Sequence, residues 1–337
     1  MTSCYRWLSA SFMAVMVCSI ILFACHNGET KEKQRAQSLK SGGSKTLMRT
    51  YPMGRFSISV PVDFERISQS HRFRACTIDE FIWPQNTDHE QARLRIWNTR
   101  LAEINKLRKP RGVSKIIIEE KATPKAGQWI KSVYYYGNYA ADDEGYWDLL
   151  IDAGPVGVLF KFDGLLEGKD ELFNWVLSIA KAYRTYPPNN PSGLPPGNWF
   201  HTKYGAINLP FFEQEKTEAR FYHRPLDMRL EIEMNETHTV EALDEGLIGR
   251  TTAVIATGYA GGVEIERIRS RKRMVAGLSG EEEIDRMTDK DGTELDFGWR
   301  YAGQKGSGEH PEILITIDTP DGNLDEKLQI WDAILDS

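Results

Sequence analysis

Alternating apolar and polar positions dominate the sequence and predict β-strands in both halves of the chain. A half-buried strand places every second side chain toward the core. Two such stretches run into a proline, 54–61 and 203–210. Further strand-like segments, rich in β-branched and aromatic residues, are 115–119, 129–136, 157–162, 228–234 and 312–318.

Helical periodicity predicts three amphipathic helices. One covers 88–109, with Leu94, Trp97, Leu101 and Ile104 as its core stripe. The other two each end one half of the chain and open with an Asp-Glu pair, which suits the positive end of a helix dipole. Their apolar faces carry Leu172, Phe173, Val176, Leu177, Ala180 and Tyr183 in the first, and Leu324, Leu328, Trp331 and Leu335 in the second.

The same order of elements on both sides of a proline-rich segment indicates an internal duplication. Tyr186–Gly197 contains five prolines and two glycines and reads as an extended linker. We therefore predict an N-terminal domain at 45–187, a linker at 188–198 and a C-terminal domain at 199–337. The predicted fold class is α+β: two related domains, each an antiparallel sheet with helices packed on one face.

The N-terminus has the pattern of a bacterial lipoprotein. An apolar run from Trp7 to Ala24 precedes Cys25, so 1–24 is predicted to be a signal peptide, and Cys25 the lipidated residue. The polar stretch 25–44 is predicted to be a flexible tether. The run is borderline in length for a membrane span, so an uncleaved anchor and a secreted protein remain alternatives. His26 follows the cysteine in place of the aspartate typical of inner-membrane retention, which favours the outer membrane.

Charge and cysteine content limit the kinds of site and binding partner that the chain can have. Beyond Cys25 the chain has one cysteine, Cys76, so neither an intramolecular disulfide nor a cysteine-rich metal site is expected. Residues 45–190 have 21 basic and 18 acidic side chains, a net +3, whereas residues 191–337 have 16 and 28, a net −12. The second half therefore repels nucleic acid and anionic membrane surfaces and suits a basic protein partner.

The sequence contains little that supports an enzymatic function. It lacks the serine-elbow, zinc-protease, P-loop and dinucleotide motifs, and no two histidines lie four residues apart. Asp289–Glu294 has carboxylates at alternate positions, as calcium loops do, but Arg300 stands where an acid would close the loop. A hairpin turn is the preferred interpretation there. Asp142, Asp143 and Glu144 are interpreted as a solvated loop tip, with partner contact as the alternative. We expect no cofactor and no metal.

The stretch Arg271–Glu283, RKRMVAGLSGEEE, reverses its charge across seven uncharged residues. A phosphate-binding loop needs backbone amides converging at a helix start, and three adjacent glutamates oppose an anion. A structural turn between charged strands is the preferred interpretation. Glu281, Glu282 and Glu283 are kept, with Asp142, Asp143 and Glu144, as candidate partner-binding residues.

Arg273–Glu282 resembles the R-x-V-A-G-L-x-G-E-E signature of the type VI secretion immunity proteins called Tli4, which are cognate to Tle4 phospholipase effectors. The export signal, the two α+β domains and the helix ending QIWDAIL at 329–335 are similar as well. The resemblance implies a periplasmic inhibitor, not an enzyme, that binds one phospholipase toxin one-to-one and blocks substrate access or lid movement. Two alternatives stay open: a lipoprotein that binds a small ligand or lipid between its domains, and a hydrolase with an unfamiliar site.

Overall fold

The computed structural model describes residues 47–85, 88–122, 129–137, 139–186, 197–236, 246–257 and 262–337. These residues lie in one compact unit, Thr46–Ser337. The predicted signal peptide, the tether with Cys25, and most of the predicted linker lie outside the described residues. No helix in the described ranges is long and apolar enough to cross a membrane.

The described part of the first half contains nine strands and two helices. They are β1 (Met48–Met53), β2 (Phe56–Pro61), β3 (Glu65–Phe73), β4 (Cys76–Ile82), α1 (His89–Asn105), β5 (Ile117–Ala122), β6 (Ile130–Tyr136), β7 (Glu144–Asp152), β8 (Val156–Leu165), α2 (Lys169–Ala182) and β9 (Tyr183–Thr185).

The described part of the second half contains eight strands and two helices. They are β10 (Trp199–His201), β11 (Gly205–Asn208), β12 (Lys216–His223), β13 (Met228–Asn235), α3 (Leu247–Thr257), β14 (Glu264–Val275), β15 (Leu278–Thr288), β16 (Thr293–Tyr301), β17 (Glu312–Pro320) and α4 (Leu324–Leu335).

Twelve of these strands form one antiparallel sheet in the order β14-β15-β16-β17-β13-β12-β3-β4-β8-β7-β6-β5. The six strands from each half follow the same order, counted outward from the central pair β3–β12. We call 65–182 the first repeat and 216–335 the second repeat. Each strand of one repeat has a counterpart in the other: β7 corresponds to β16, for example, and α1 to α3.

The α+β class with antiparallel sheets is confirmed, because alternation placed the strands well. In β13 the residues Met228, Leu230, Ile232 and Met234 are buried and the residues between them are more exposed, as a sheet packed on one side requires. The remaining predicted strands appear as β2, β5, β6, β8, β11 and β17, with ends shifted by a few residues.

The helices divide between the two faces of the sheet, which differs from the predicted packing of the helices on one face. In the first repeat, α2 packs against Trp147, Leu149 and Ile151, whereas α1 shares a cluster with Leu150. Alternate residues of β7 point to opposite faces, so α1 and α2 lie on opposite sides. Within α1, Leu94 does not belong to the core stripe: it is 41% exposed. The buried residues of this helix are Ala92, Trp97 and Ile104, and Leu94 lies at the edge of that stripe.

Each of two small hairpins precedes one repeat in the sequence but packs in the core of the other repeat. The β1–β2 hairpin precedes the first repeat, yet its core residues pack with Phe221 and Trp331 of the second. The β10–β11 hairpin precedes the second repeat, yet Phe200 and Ile207 pack in the core of the first. The hairpins also meet, because Gly54 and His201 exchange two backbone hydrogen bonds of 2.9 and 2.6 Å. Each half therefore completes the core of the other.

Buried polar contacts lock the exchanged hairpins in place. Glu80 of β4 accepts hydrogen bonds from the Thr202 hydroxyl (2.7 Å) and the Lys203 backbone N–H (2.8 Å) at the β10–β11 turn. Arg55, at the β1–β2 turn, binds Glu215 through two hydrogen bonds of 2.8 and 2.6 Å. A bidentate pair of this kind fixes geometry as well as charge. The predicted boundaries at 187 and 198 stay predictions, but the two repeats share one sheet and each other's hairpins.

Candidate partner-binding surfaces

The signature stretch forms the β14–β15 hairpin, which confirms the turn interpretation. The strands pair from Glu264↔Thr288 to Val275↔Leu278, and Ala276 and Gly277 form the two-residue turn. Both turn residues have positive φ, 50° and 82°. A type I′ hairpin loop requires positive φ at both positions. The glycine therefore serves the backbone, and the stretch joins two strands instead of opening a helix around a phosphate.

Glu282 lies at the centre of a buried ion cluster beneath this hairpin. Its side chain is fully buried. Burial alone raises the pKa of a carboxyl group, but hydrogen bonds from arginines and a tryptophan outweigh burial and lower the pKa of Glu282. The donors are Arg271 Nε (2.6 Å), Trp331 Nε1 (2.8 Å), Arg269 Nη1 (3.0 Å) and Arg273 Nη1 (3.0 Å).

The same cluster fastens the last helix to the sheet. Arg273 donates to Asp332 Oδ1 of α4 and to Asp336 Oδ1 directly after that helix, both at 2.6 Å. The Trp299 indole N–H donates to the Arg273 carbonyl at 3.2 Å. A Cβ added at Gly280 would lie 2.4 Å from Trp299 Cε2, so this glycine makes room for the ring. The charged and small residues of the signature thus hold α4 and Trp299 in place.

Glu281 and Glu283 point to the other face of the sheet, toward α3. Glu281 Oε2 accepts a 3.1 Å hydrogen bond from the Ile248 backbone N–H in the first turn of α3, where the helix dipole favours negative charge. Glu283 is 3% exposed, and Arg267 Nη2 lies 2.6 Å from its Oε1. Partner contact by Glu281, Glu282 and Glu283 stays a prediction, but in the free protein all three serve the fold.

Asp142 and Asp143 lie in the exposed loop between β6 and β7, as predicted, whereas Glu144 is the exposed first residue of β7. The Asp143 carbonyl accepts a 2.7 Å hydrogen bond from the Leu166 N–H. This loop and the β14–β15 hairpin belong to opposite ends of the twelve-stranded sheet. The structure therefore does not bring the two predicted acidic groups together, and partner contact by the loop also stays a prediction.

A row of three aspartates crosses the α3 side of the second repeat. Asp285 of β15 is the cross-strand partner of Asp296 of β16, and Asp296 is the partner of Asp318 of β17. Directly opposed side chains in a sheet lie about 5 Å apart, and like charges in such pairs destabilise it. We call Asp285, Asp296 and Asp318 the aspartate row.

Burial and the close approach of carboxylates raise the pKa values of the row. Burial and the neighbouring carboxylates, with Asp318 the largest of these, raise the pKa of Asp296 to about 7. Burial and Glu283 raise the pKa of Asp285 to about 6, against an opposing effect of Arg267. Asp285 is 7% exposed, and its Oδ1 has no hydrogen-bond partner in the described structure.

Sequence reasoning missed this row, although its members sit at outward positions of alternating strands. Each aspartate looks like an ordinary solvent-facing residue in its own strand. What brings the three together is the register between strands, which no local pattern shows.

Comparison with known proteins gives a family match for the second half of the chain. Residues 202–337 match the family model described as "Tle cognate immunity protein 4 C-terminal domain". The matched region contains the whole second repeat, with the signature hairpin and the aspartate row.

Solved structures of immunity proteins have the same fold. The apo structure of immunity protein TplEi of T6SS from Pseudomonas aeruginosa is 18% identical to this chain, with a TM-score of 0.70, and the alignment covers 87% of this chain and 97% of that one. The Tle4–Tli4 complex structure gives the same values. TplEi complexed with "L" peptide gives a TM-score of 0.62 at 18% identity, covering 87% and 98%. No curated protein matches the sequence. At this identity, the structural likeness establishes the fold.

No group of three metal-binding side chains is found among the described residues. In the 289–294 turn, Asp289 Oδ1 accepts from the Asp291 and Gly292 N–H groups, which confirms the turn interpretation. A cleft of about 20 Å³ lies beside Arg55, and an open groove of about 540 Å³ lies along β5. The groove is lined by Asn105, Lys109, Ser114, Lys115, Ile116, Ile117, Ile118, Glu119 and Glu120, so charged and polar groups interrupt its apolar surface.

Proposed function

We propose that this protein is a type VI secretion immunity protein that binds a Tle-class phospholipase effector and inhibits it. The observation that carries the proposal is the family match of residues 202–337. The likeness to the immunity protein in the Tle4–Tli4 complex supports it, since that complex shows this fold used beside an effector. The family match also supports a role in binding without catalysis.

The architecture suits inhibition by occupying a surface. A stable protein interface needs roughly 800 Å² from each partner, and rigid partners lose less entropy on binding. Here the continuous sheet and the exchanged hairpins hold both repeats in one compact unit. Such a body blocks substrate access to the lipase, or the movement of its lid, without any chemistry of its own.

The proposed site of action is the periplasm, with the chain anchored through lipid on Cys25. The support is the apolar run ending at Ala24 and the following polar stretch. A tethered inhibitor would meet a phospholipase at the membrane surface where that enzyme acts. The proposed stoichiometry is one-to-one, because the two repeats form a single body.

The test is a titration of a purified Tle-class effector, the one encoded with this chain, with the purified protein. We expect phospholipid hydrolysis in vesicles to fall linearly to zero at one equivalent, and a one-to-one complex by light scattering. Undiminished hydrolysis at excess protein, or no complex, would overturn the proposal. Hydrolysis of phospholipid by the chain alone would favour the enzyme alternative.

A further inference from the structure

The second repeat carries carboxylates that its own fold does not neutralise. Asp285 is buried with an orphaned Oδ1. No hydrogen bond or ion pair reaches the Asp296 carboxylate within the described structure. Arg267 comes nearest to the row, with Nε 4.0 Å from Asp285 Oδ1, but its Nη2 is already 2.6 Å from Glu283. The centre of the row therefore lacks a cation.

The first repeat shows how this fold satisfies an acid on the corresponding strand and face. Asp148 of β7 is fully buried on the α1 side of the sheet. Arg100 of α1 donates to Asp148 Oδ2 at 2.5 Å, and the Tyr135 hydroxyl donates to Oδ1 at 3.3 Å. Its cross-strand neighbour on β8 is Lys161, a cation. In the second repeat the neighbour of Asp296 on β17 is Asp318, an anion.

The segment that replaces α1 in the second repeat is poor in cations. Between β13 and β14 the only lysine or arginine is Arg250, which is exposed on the 11-residue α3. Residues 237–245 and 258–261, outside the described structure, contain neither lysine nor arginine. Arg229, the cross-strand neighbour of Asp318, reaches Asp227 at 3.7 Å. The aspartate row therefore has adjacent negative charges where the first repeat has the Arg100–Asp148 ion pair.

We propose that the aspartate row is the docking site for a lysine or arginine side chain of the effector protein. The inference rests on the proposed function and assigns it a surface. A protein cation fits better than nucleic acid or an anionic membrane, which the net charge of −12 on residues 191–337 repels. Its cationic group takes the place that the Arg100 guanidinium has beside Asp148 in the first repeat, and it pairs with carboxylates already partly removed from water.

The experiment measures effector affinity for the whole chain and for three variants. Asp296→Asn and Asp318→Asn remove one charge each from the row. Glu326→Gln is the matched control, because Glu326 is exposed on α4, on the other face of the sheet. We expect about tenfold weaker binding for Asp296→Asn, a smaller loss for Asp318→Asn and no change for Glu326→Gln. We also expect the salt dependence of affinity to be shallower for Asp296→Asn.

Stability separates a binding role from a structural one. Removing a repelled charge is expected to raise the Tm of Asp296→Asn while its affinity falls. Equal affinity of Asp296→Asn and the unsubstituted protein would overturn the inference and leave the proposed function standing. Failure of the unsubstituted protein to bind or inhibit would overturn both. A calcium-dependent rise in Tm that Asp296→Asn abolishes would identify a metal site and overturn the inference.

Discussion

Glu282→Gln removes one negative charge from the centre of a cluster that contains three arginines, while keeping the shape of the side chain. Breaking a buried ion pair by neutralising one partner costs about 3–5 kcal/mol. In the variant, Arg269 and Arg273 still form ion pairs with Asp332, at 2.7 and 2.6 Å. The cost should therefore lie at the lower end of that range. We expect the free energy of unfolding to fall by about 3 kcal/mol. Urea unfolding followed by tryptophan fluorescence measures it.

The pH dependence gives an independent check on the same group. The hydrogen-bonded cluster lowers the pKa of Glu282, so its stabilisation is complete above the unfolded pKa of 4.5 and is lost as pH falls through the folded pKa. Glu282→Gln is expected to lose less stability in acid than the unsubstituted protein. Glu326→Gln, an exposed control, is expected to change the free energy of unfolding by less than about 0.5 kcal/mol. A similarly small effect for Glu282→Gln would refute the reasoning.

Three further predictions concern other parts of the chain. Because the pKa of Asp296 is raised to about 7, the folded protein binds a proton at this carboxyl group more tightly than the unfolded chain does, and the free energy of unfolding should fall as pH rises from about 4 to 7. Asp296→Asn should flatten that slope and raise the free energy of unfolding by about 1–2 kcal/mol at pH 8 after solvent screening. A steeper slope for Asp296→Asn contradicts this. Gly280→Ala should cost about 1–3 kcal/mol in urea unfolding, since its Cβ meets the Trp299 ring; unchanged stability contradicts the clash. Cys25→Ser should abolish palmitate labelling and release the chain from the membrane fraction, whereas retained labelling excludes Cys25 as the anchor.

Local patterns predicted most of the fold. Residues of β13 and β17 alternate strictly, and both are strands with one buried face. The stripes of α2 and α4 centre on Val176 and Trp331, which are fully buried. Each of these signals depends on a few neighbouring residues, which is why the sequence contains them. The repeated order of elements also indicated the duplication that the sheet shows.

No local pattern in the sequence predicts that each hairpin packs with the opposite repeat. Residues 54–61 and 203–210 were predicted correctly as strands, but nothing in either stretch tells which half it completes. That choice depends on contacts between residues more than a hundred positions apart, such as the pairing of Arg55 with Glu215. Long-range contacts of this kind are set by the whole core and not by local periodicity.

The candidate site shows the same division between local and long-range information. Three successive glutamates suggested one acidic surface, yet alternation along β15 sends Glu282 into an ion cluster and Glu281 and Glu283 toward α3. A charge run in a strand is shared between two faces. The aspartate row has the opposite property, because residues far apart in the sequence meet through strand register.

The charges of the second repeat therefore fall into two groups with different expected effects. Those of the signature hairpin hold α4 in place, so substituting Glu282 should lower the free energy of unfolding. Those of the aspartate row oppose one another, so substituting Asp296 should improve stability and weaken binding. A fold that neutralises Asp148 with Arg100 in one repeat, but leaves Asp296 beside Asp285 and Asp318 in the other, retains a stability cost that a partner's cation would remove. Measuring affinity and unfolding free energy on the same two variants separates the groups, and parallel losses for both would show that the row is structural.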